Sequence, residues 1–246
     1  MKFFRLTTSD CVERIRQHGG EPMARTLGNH LLVGSLGFCA VSLLSFSIWA
    51  FAARPLYQTI GEVGMYAVIA LAFVGLSGAL FNRLLIAPGT LGSFYGLFTA
   101  SFVSYSILWS LAWFMLAKPL GARPAGVVAA LLGTIAMSAC LSSGLGSWQP
   151  FWKNTLFLFV AHTLGYFLGD LLFSWLLSES GARSLEGILS KPARIVAAKL
   201  SWGLGYGLGF GLGIGHNLYQ LQAPLRVQLN YSQSAQNPLA PDPPLD

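Results

Sequence analysis

The chain has 246 residues, of which 54% are hydrophobic and only 10% are charged, and its formal net charge is +6. A soluble domain of this length needs a polar exterior, and so few charges cannot supply one. The composition therefore excludes an ordinary soluble protein, and the mean hydropathy of +0.58 indicates a membrane protein. Excess Lys and Arg beside apolar segments suits lipid headgroups and membrane topology, so we expect the lipid bilayer as partner and no nucleic acid.

The first 30 residues are mostly polar and hold five of the cationic side chains. Asp10, followed three residues later by Glu13, is typical of the start of a short helix. Apolar residues between Phe3 and Ile15 would let that helix lie on the membrane surface. A solvated tail with a frayed helix is the alternative. Because the polar stretch precedes a long apolar block, this is not the pattern of a cleavable signal peptide.

Six long apolar stretches follow, and Lys153, Asp170 and Lys199 are the only charged residues inside them, Lys153 at the very start of the fifth. A helix needs about 20 mainly apolar residues to cross a hydrocarbon core about 30 Å thick, and it satisfies its own backbone hydrogen bonds. We therefore predict an all-α polytopic membrane bundle over residues 31–219. Its predicted spans are 31–53, 63–81, 91–117, 124–141, 151–177 and 196–219.

Short connections between the stretches predict that consecutive helices are antiparallel neighbours. With the N-terminus inside, the inner segments hold eight Lys and Arg residues and the outer loops hold six. This bias, together with the cations before the first span, predicts that both termini are cytoplasmic. No organelle signal is evident, which favours a prokaryotic cytoplasmic membrane. The stretch at 220–246 is polar and rich in proline, and we predict that it is disordered.

Bulky aromatic residues recur along one side of the third span at steps of three or four residues. Small residues lie opposite, and small faces usually pack against other helices. The pattern favours an aromatic stripe that faces lipid, and the alternative is one wall of a site for a flat apolar ligand such as a quinone, carotenoid or acyl chain. The stripe consists of Phe94, Phe98, Phe102, Tyr105, Trp109 and Trp113.

The fifth span carries His162, Tyr166 and Asp170 at intervals of four residues, so they share one side of the helix. Ionisable residues at membrane depth are costly, and such residues mark a candidate functional site. Lys199 in the next span lies close enough in depth to form an ion pair with Asp170, which we predict. A proton or ion relay through His162, as in a small transporter or channel, and a hydrated pocket around Asp170 are the alternatives.

Glycine occupies every odd position from 203 to 215, in a segment whose flanks and setting predict a helix. Residues four apart share a face, so the glycines form two repeated GxxxG patterns on roughly opposite sides, of the kind that lets helix backbones approach closely. We predict a glycine-zipper last helix packed between two neighbours, with self-association through one side as the alternative. Gly165 and Gly169 of the fifth span would admit a close neighbour as well. The two sets are the Gly203 ridge (Gly203, Gly207, Gly211 and Gly215) and the Gly205 ridge (Gly205, Gly209 and Gly213).

The segment AHTLGYFLG, from Ala161 to Gly169, resembles the AHxxGxxxG histidine helix of the rhomboid intramembrane serine proteases. The resemblance implies a serine nucleophile in a GxSG motif on an earlier span. The nearest string here, which starts at Gly89, has Leu91 at the nucleophile position, and Ser142 and Ser143 are the substitutes closest to the histidine helix. A rhomboid-like protein that lacks the usual serine is therefore a third hypothesis.

No other constellation predicts chemistry. His30, His162 and His216 are expected at different depths, so no two of them suit bis-histidine ligation of a haem. No metal-binding cluster is evident either. We expect no cofactor, no metal and no enzymatic activity. The sequence favours a non-enzymatic membrane protein that packs or assembles with partners, either as a homo-oligomer or with another membrane protein.

Overall fold

The computed structural model describes residues 4–18 and 25–236, the last six of these by their backbone alone. Every regular element in these residues is a helix, which confirms the all-α prediction. Two π-helical segments, Val33–Gly37 and Ile48–Ala52, join the second, third and fourth helices. The helices are α1 (Thr8–His18), α2 (Leu27–Leu32), α3 (Phe38–Ser47), α4 (Ala53–Asn82), α5 (Leu91–Leu120), α6 (Ala122–Leu145), α7 (Phe151–Leu177), α8 (Glu179–Ser184), α9 (Lys191–Leu221) and α10 (Ala223–Gln236).

Four helical stretches of the described chain are long and apolar enough to cross a membrane: Leu27–Asn82, α5, α6 and α7. The predicted total of six spans is not confirmed by this criterion. Two of the predicted spans fall together in the 56-residue stretch Leu27–Asn82. The last predicted span falls in α9, which has the length but carries charges near its start and many glycines of low hydropathy.

The stretch Leu27–Asn82 is a hairpin rather than one straight rod. The ring centroids of Phe38 and Phe81 are 5.7 Å apart, and those of Phe46 and Phe73 are 6.2 Å apart, so its two arms run antiparallel. The chain turns between the arms, where Gly61 adopts a φ of 72°, a conformation that interrupts the helix and that glycine tolerates best. The first arm is 27–52 and the second is 62–82. At 1.5 Å per residue they are roughly 39 Å and 31 Å long.

Helix α9 lies at the centre of the bundle, between the first arm of the hairpin and α7. Gly34 and Gly215 approach each other on one side, and Gly165 and Gly209 on the other. Helices α5 and α6 form an antiparallel pair beside them, in which Gly133 of α6 packs against the ring of Tyr105. Because neither glycine face of α9 fills space, rings from the surrounding helices pack the interior.

The aromatic stripe of α5 faces this interior, so the prediction that it faces lipid is wrong. Phe94 and Phe98 are fully buried, and Phe102 and Tyr105 are nearly so. The rings of the stripe contact those of the second hairpin arm and of Phe210 in α9. The rule that small faces pack and bulky faces meet lipid fails here because the central helix supplies little volume of its own.

Helices α1 and α10 pack together against the loop that follows α4. Cys11, Ile86 and Leu225 are buried in this small cluster, which we call the end cap. The Gln222 amide fixes the loop because its oxygen accepts from the Ile86 amide and its nitrogen donates to the Leu84 carbonyl. The predicted disorder from residue 220 is therefore wrong as far as Gln236, since the chain finds apolar contacts on α1. Residues 237–246 lie outside the described residues.

Candidate functional site

His162 lies in the interior of the bundle, on the side of α7 that meets α5 and α9. The side chain is fully buried, and its Nε2 is 2.7 Å from the Tyr105 hydroxyl, a hydrogen-bond distance. The rings of Tyr206 and Phe210 meet the imidazole edge-on, with centroids 5.6 Å and 5.2 Å away. The other ring nitrogen, Nδ1, has no hydrogen-bond partner among the described residues. A polar group thus sits in an otherwise aromatic interior.

Tyr166 lies one helical turn from His162, and the two rings stack with centroids 6.2 Å apart. Asp170 lies one turn further along α7, is only partly buried, and interacts electrostatically with the Tyr166 phenol. The structure thus brings His162 and Tyr166 together in the interior, while Asp170 lies at the edge of the same face.

Lys199 is directed away from Asp170. Its Nζ donates to the Trp49 carbonyl at 3.1 Å and lies 4.6 Å from the centroid of the Trp49 ring. Among the residues that the structure describes, no ion pair joins Asp170 to Lys199. Lys199 precedes Gly203 by four residues and so shares its face of α9, which meets the hairpin rather than α7. The prediction considered depth but not the side of the helix.

The Gly205 ridge meets α7. A Cβ atom on Gly205 would lie 2.6 Å from the Gly165 carbonyl oxygen and 2.9 Å from the Gly169 Cα. A Cβ on Gly209 would lie 2.2 Å from the Ala161 carbonyl oxygen, and one on Gly213 would meet Leu158 at similar distances. Contacts this short to backbone atoms exclude any side chain, so the two helices touch through their main chains.

The Gly203 ridge meets the first arm of the hairpin. A Cβ on Gly211 would lie 2.2 Å from the Gly34 carbonyl oxygen, and one on Gly207 would lie 2.7 Å from the Cys39 Cα. Gly203 and Gly215 are closed in by Phe46 and by the His30 backbone. Both ridges are therefore covered within one chain, which leaves neither available for self-association.

An open cavity of about 240 Å³, which we call the aromatic cleft, lies beside the buried histidine. Tyr105, the partner of His162, and Tyr166 form part of its wall. Helices α3, α4, α5, α7 and α9 all contribute to it, and most of its lining is aromatic. The lining residues are Phe46, Phe73, Tyr105, Ser106, Trp109, Ser110, Tyr166, Trp202 and Tyr206.

Sequence reasoning missed the contribution of α9 to this site. Tyr206 and Phe210 are the aromatic residues inside the glycine ladder, and they stack with centroids 5.3 Å apart. They are four residues apart, so they form a third face of α9 between the two ridges. His162 and Tyr166 are also four residues apart. This shared spacing is the sequence feature from which the meeting of the four rings could have been predicted.

The structure does not bring the rhomboid-like nucleophile position to the buried histidine. Leu91, at the position of the rhomboid serine, begins α5 and lies roughly 21 Å along that helix from Tyr105. The described residues contain no group of three or more His, Cys, Asp or Glu side chains that could hold a metal ion. No family model, curated protein or solved structure matches the chain.

Proposed function

We propose that the protein is a non-enzymatic, six-span component of a cell membrane that packs or assembles with other membrane proteins. One observation carries the proposal: large apolar side chains lie exposed on the outer faces of the bundle, while both glycine ridges are already covered within the chain. Inside the bundle, hydrogen bonds from serine side chains also join the helices to one another. Ser42 donates to the Gly203 carbonyl at 2.7 Å, and Ser35 donates to the Leu208 carbonyl at 3.1 Å. These bonds reinforce the Gly203 ridge, which with the Gly205 ridge would make α9 a glycine zipper.

Six crossings are supported by the antiparallel arms of the hairpin and by the neighbours of α9. Each arm is long enough to cross a core of about 30 Å. Helix α9 packs along its length against the first arm and α7. If α9 lay outside the membrane, both of these helices would lose their contacts with it. Six crossings with five cations ahead of the first favour cytoplasmic termini, and we propose a prokaryotic cytoplasmic membrane as the location.

Assembly with partners is supported by the large apolar surface that the bundle leaves exposed. Val63 is 84% exposed, and Phe114 and Met115 are each 74% exposed. Lipid covers such surfaces by default, but a partner helix covers them equally well by shape-matched packing. Since both ridges of α9 are occupied, a second copy or another protein would dock on these outer faces.

Site-specific photo-cross-linking in native membranes tests the assembly role. A photoreactive residue at Val63 or Met115 should yield a discrete adduct of fixed mass, whereas one at Leu158, which is fully buried, should yield none. Adducts with lipid alone from both exposed positions, together with a monomer in native gel electrophoresis, would refute the assembly role.

Asp170 supports a second candidate function, a small transporter or channel. The Asp170 carboxylate forms no ion pair with Lys199, so a structural pair does not account for its place in the span. It lies on the face of α7 that leads to His162. Proteoliposomes with an internal pH dye test this role. Under our preferred proposal the parent and the Asp170→Asn variant should show the same proton leak. A pH-driven flux that Asp170→Asn abolishes would establish transport instead.

A further inference from the structure

We propose that the aromatic cleft binds the ring of a membrane-soluble ligand that bears carbonyl acceptors, a ligand of the quinone class. The inference goes beyond the assembly role and does not depend on it. It rests on the lining, the size and the hydroxyl groups of the cleft.

The walls of the cleft suit a flat ring. Trp109 and Trp202 flank Tyr166, with ring centroids 6.1 Å and 5.8 Å from it. Trp109 also stacks on Trp113, with planes 5° apart, so the ring on this wall is held in place. Aromatic side chains held by neighbours lose little entropy when a planar ligand stacks on them, and each such contact adds to the burial of apolar area.

The cleft has the dimensions of a headgroup and not of a whole lipid. Its volume of about 240 Å³ is below the roughly 300–1,000 Å³ of sites that enclose a complete drug-sized ligand. From Tyr105 to Ser110 the wall extends about 7.5 Å along α5, at 1.5 Å per residue. A six-membered ring with small substituents fits this length, and a long apolar tail would extend into the surrounding lipid.

Hydroxyl groups give the cleft a preference for acceptors. Ser101, elsewhere on α5, donates to the Leu97 carbonyl four residues back at 2.8 Å. The hydroxyls of Ser106 and Ser110 make no hydrogen bond to any residue that the structure describes. The Tyr166 hydroxyl makes none there either, although its phenol interacts electrostatically with Asp170. Uncommitted O–H donors inside an apolar site favour a ligand whose carbonyl oxygens accept from them.

Other lipid-phase ligands fit these features less well. An acyl chain would leave the hydroxyls without partners and would gain nothing from rigid rings. A carotenoid is a long rod, whereas the cleft spans about one and a half turns of α5. The ring of a quinone uses both the stacking surface and the donors.

Binding can be measured with the full chain in phosphatidylcholine nanodiscs. Decylubiquinone, a quinone with a short tail, is titrated while tryptophan fluorescence is recorded, because Trp109 and Trp202 line the cleft. We expect a saturable quenching component above the linear quenching that comes from partition into lipid. Palmitate, which has the chain but no ring, should leave the saturable component unchanged.

Two variants locate the site. Ser110→Leu fills the cleft and should weaken binding at least about tenfold, and Tyr166→Phe, which removes one hydroxyl, should weaken it by about three- to tenfold. Ile107→Ala is the control, since Ile107 lies at the same depth of α5 but is exposed outside the cleft. Thermal unfolding in the same nanodiscs identifies any variant whose loss of binding reflects misfolding, and Tyr166→Phe preserves the ring packing.

Three results would overturn the proposal: no saturable component in the parent, full displacement by palmitate, or unchanged affinity in both folded cleft variants. Loss of binding in Ile107→Ala as strong as in Ser110→Leu would place the quinone on the outer surface and would equally refute the assignment.

Discussion

Gly209 shows how much of the bundle depends on single absent side chains. Its hypothetical Cβ would overlap the Ala161 carbonyl oxygen at 2.2 Å, and that oxygen belongs to a helix backbone that cannot rotate away. Gly92, near the start of α5, is the opposite case because nothing lies within 4 Å of its hypothetical Cβ.

Gly209→Ala should therefore lower the free energy of unfolding by about 1–3 kcal/mol, since overpacking forces the two backbones apart. Gly92→Ala should leave stability unchanged or raise it by up to about 1 kcal/mol, because alanine is the better helix former. Unfolding by denaturing detergent in mixed micelles measures both. Equal stabilities for the two variants would show that α7 and α9 do not touch.

The hydrogen bond between Tyr105 and His162 leads to a second prediction. Tyr105→Phe leaves Nε2 of a fully buried imidazole without its partner, and it should cost about 1–3 kcal/mol of unfolding free energy. Tyr95→Phe is the matched control, because the Tyr95 hydroxyl donates to the Gly75 carbonyl at an exposed site. The same mixed-micelle titration applies, and a larger loss for Tyr95→Phe would contradict the buried bond.

Asp170 and Lys199 should behave as independent residues. Because Lys199 binds Trp49 instead of Asp170, the effects of Asp170→Asn and Lys199→Met on unfolding free energy should add within about 0.5 kcal/mol. A double-mutant cycle measures the coupling. If the double variant recovers stability that both single variants lose, an ion pair forms in the membrane and our assignment of Lys199 fails.

Among single residues, the sequence identified the glycines and His162 but not their neighbours. A four-residue repeat places side chains on one face, which is why the polar series on α7 is predictable. It does not say which helix that face meets, so Tyr105 and Tyr206 were not foreseen beside His162. The same gap explains the predicted pair between Asp170 and Lys199.

At the scale of elements, the end cap is the feature that connects both terminal segments to the bundle. Cys11 of α1 packs against Leu225 of α10 and against Ile86 in the loop after α4. Burial raises the pKa of the Cys11 thiol to about 11 from its ordinary value of 9.0. Since the thiolate is the reactive form, Cys11 should react slowly below that pH.

Leu225→Ala should open the end cap and let the pKa of the Cys11 thiol fall back toward 9. Maleimide modification of Cys11 at pH 8 should then be at least about fivefold faster. A fall of two pKa units would raise the thiolate fraction about a hundredfold, which is the upper limit of the effect. Val227→Ala is the control, because Val227 lies on α10 but is exposed. Peptide mapping distinguishes Cys11 from the other two cysteines. Rapid modification of Cys11 in the parent protein would mean that α10 does not cover it.

The order of helix α10 and the inward direction of the α5 stripe could not be predicted from the local sequence. Residues 223–236 have few apolar side chains, and their order depends on α1 and on the Gln222 contacts, which are distant in sequence. The stripe of α5 is plain in the sequence, but its direction depends on the volume that α9 leaves unfilled. Both are properties of tertiary packing rather than of local composition.

For the whole molecule, the main question is how many times the chain crosses the membrane. Hydropathy and length identify four candidate stretches. The two arms of the hairpin count as one stretch because the turn at Gly61 is short, and α9 is not counted because its many glycines lower its hydropathy. The ring contacts within the hairpin and the backbone contacts of α9 favour six crossings. The two counts place the loop after α4 on opposite sides of the membrane.

Cysteine accessibility in intact cells decides between these counts. Single cysteines are placed at exposed positions in a variant whose three native cysteines are replaced by alanine, and the cells are treated with a membrane-impermeant maleimide. Six crossings with cytoplasmic termini predict that Gln58→Cys and Glu186→Cys are labelled at once. Arg83→Cys and Gln149→Cys should be labelled only after the cells are permeabilised. Labelling of Arg83→Cys in intact cells, with Gln58→Cys protected, would contradict the hairpin as two crossings and the six-span account with it.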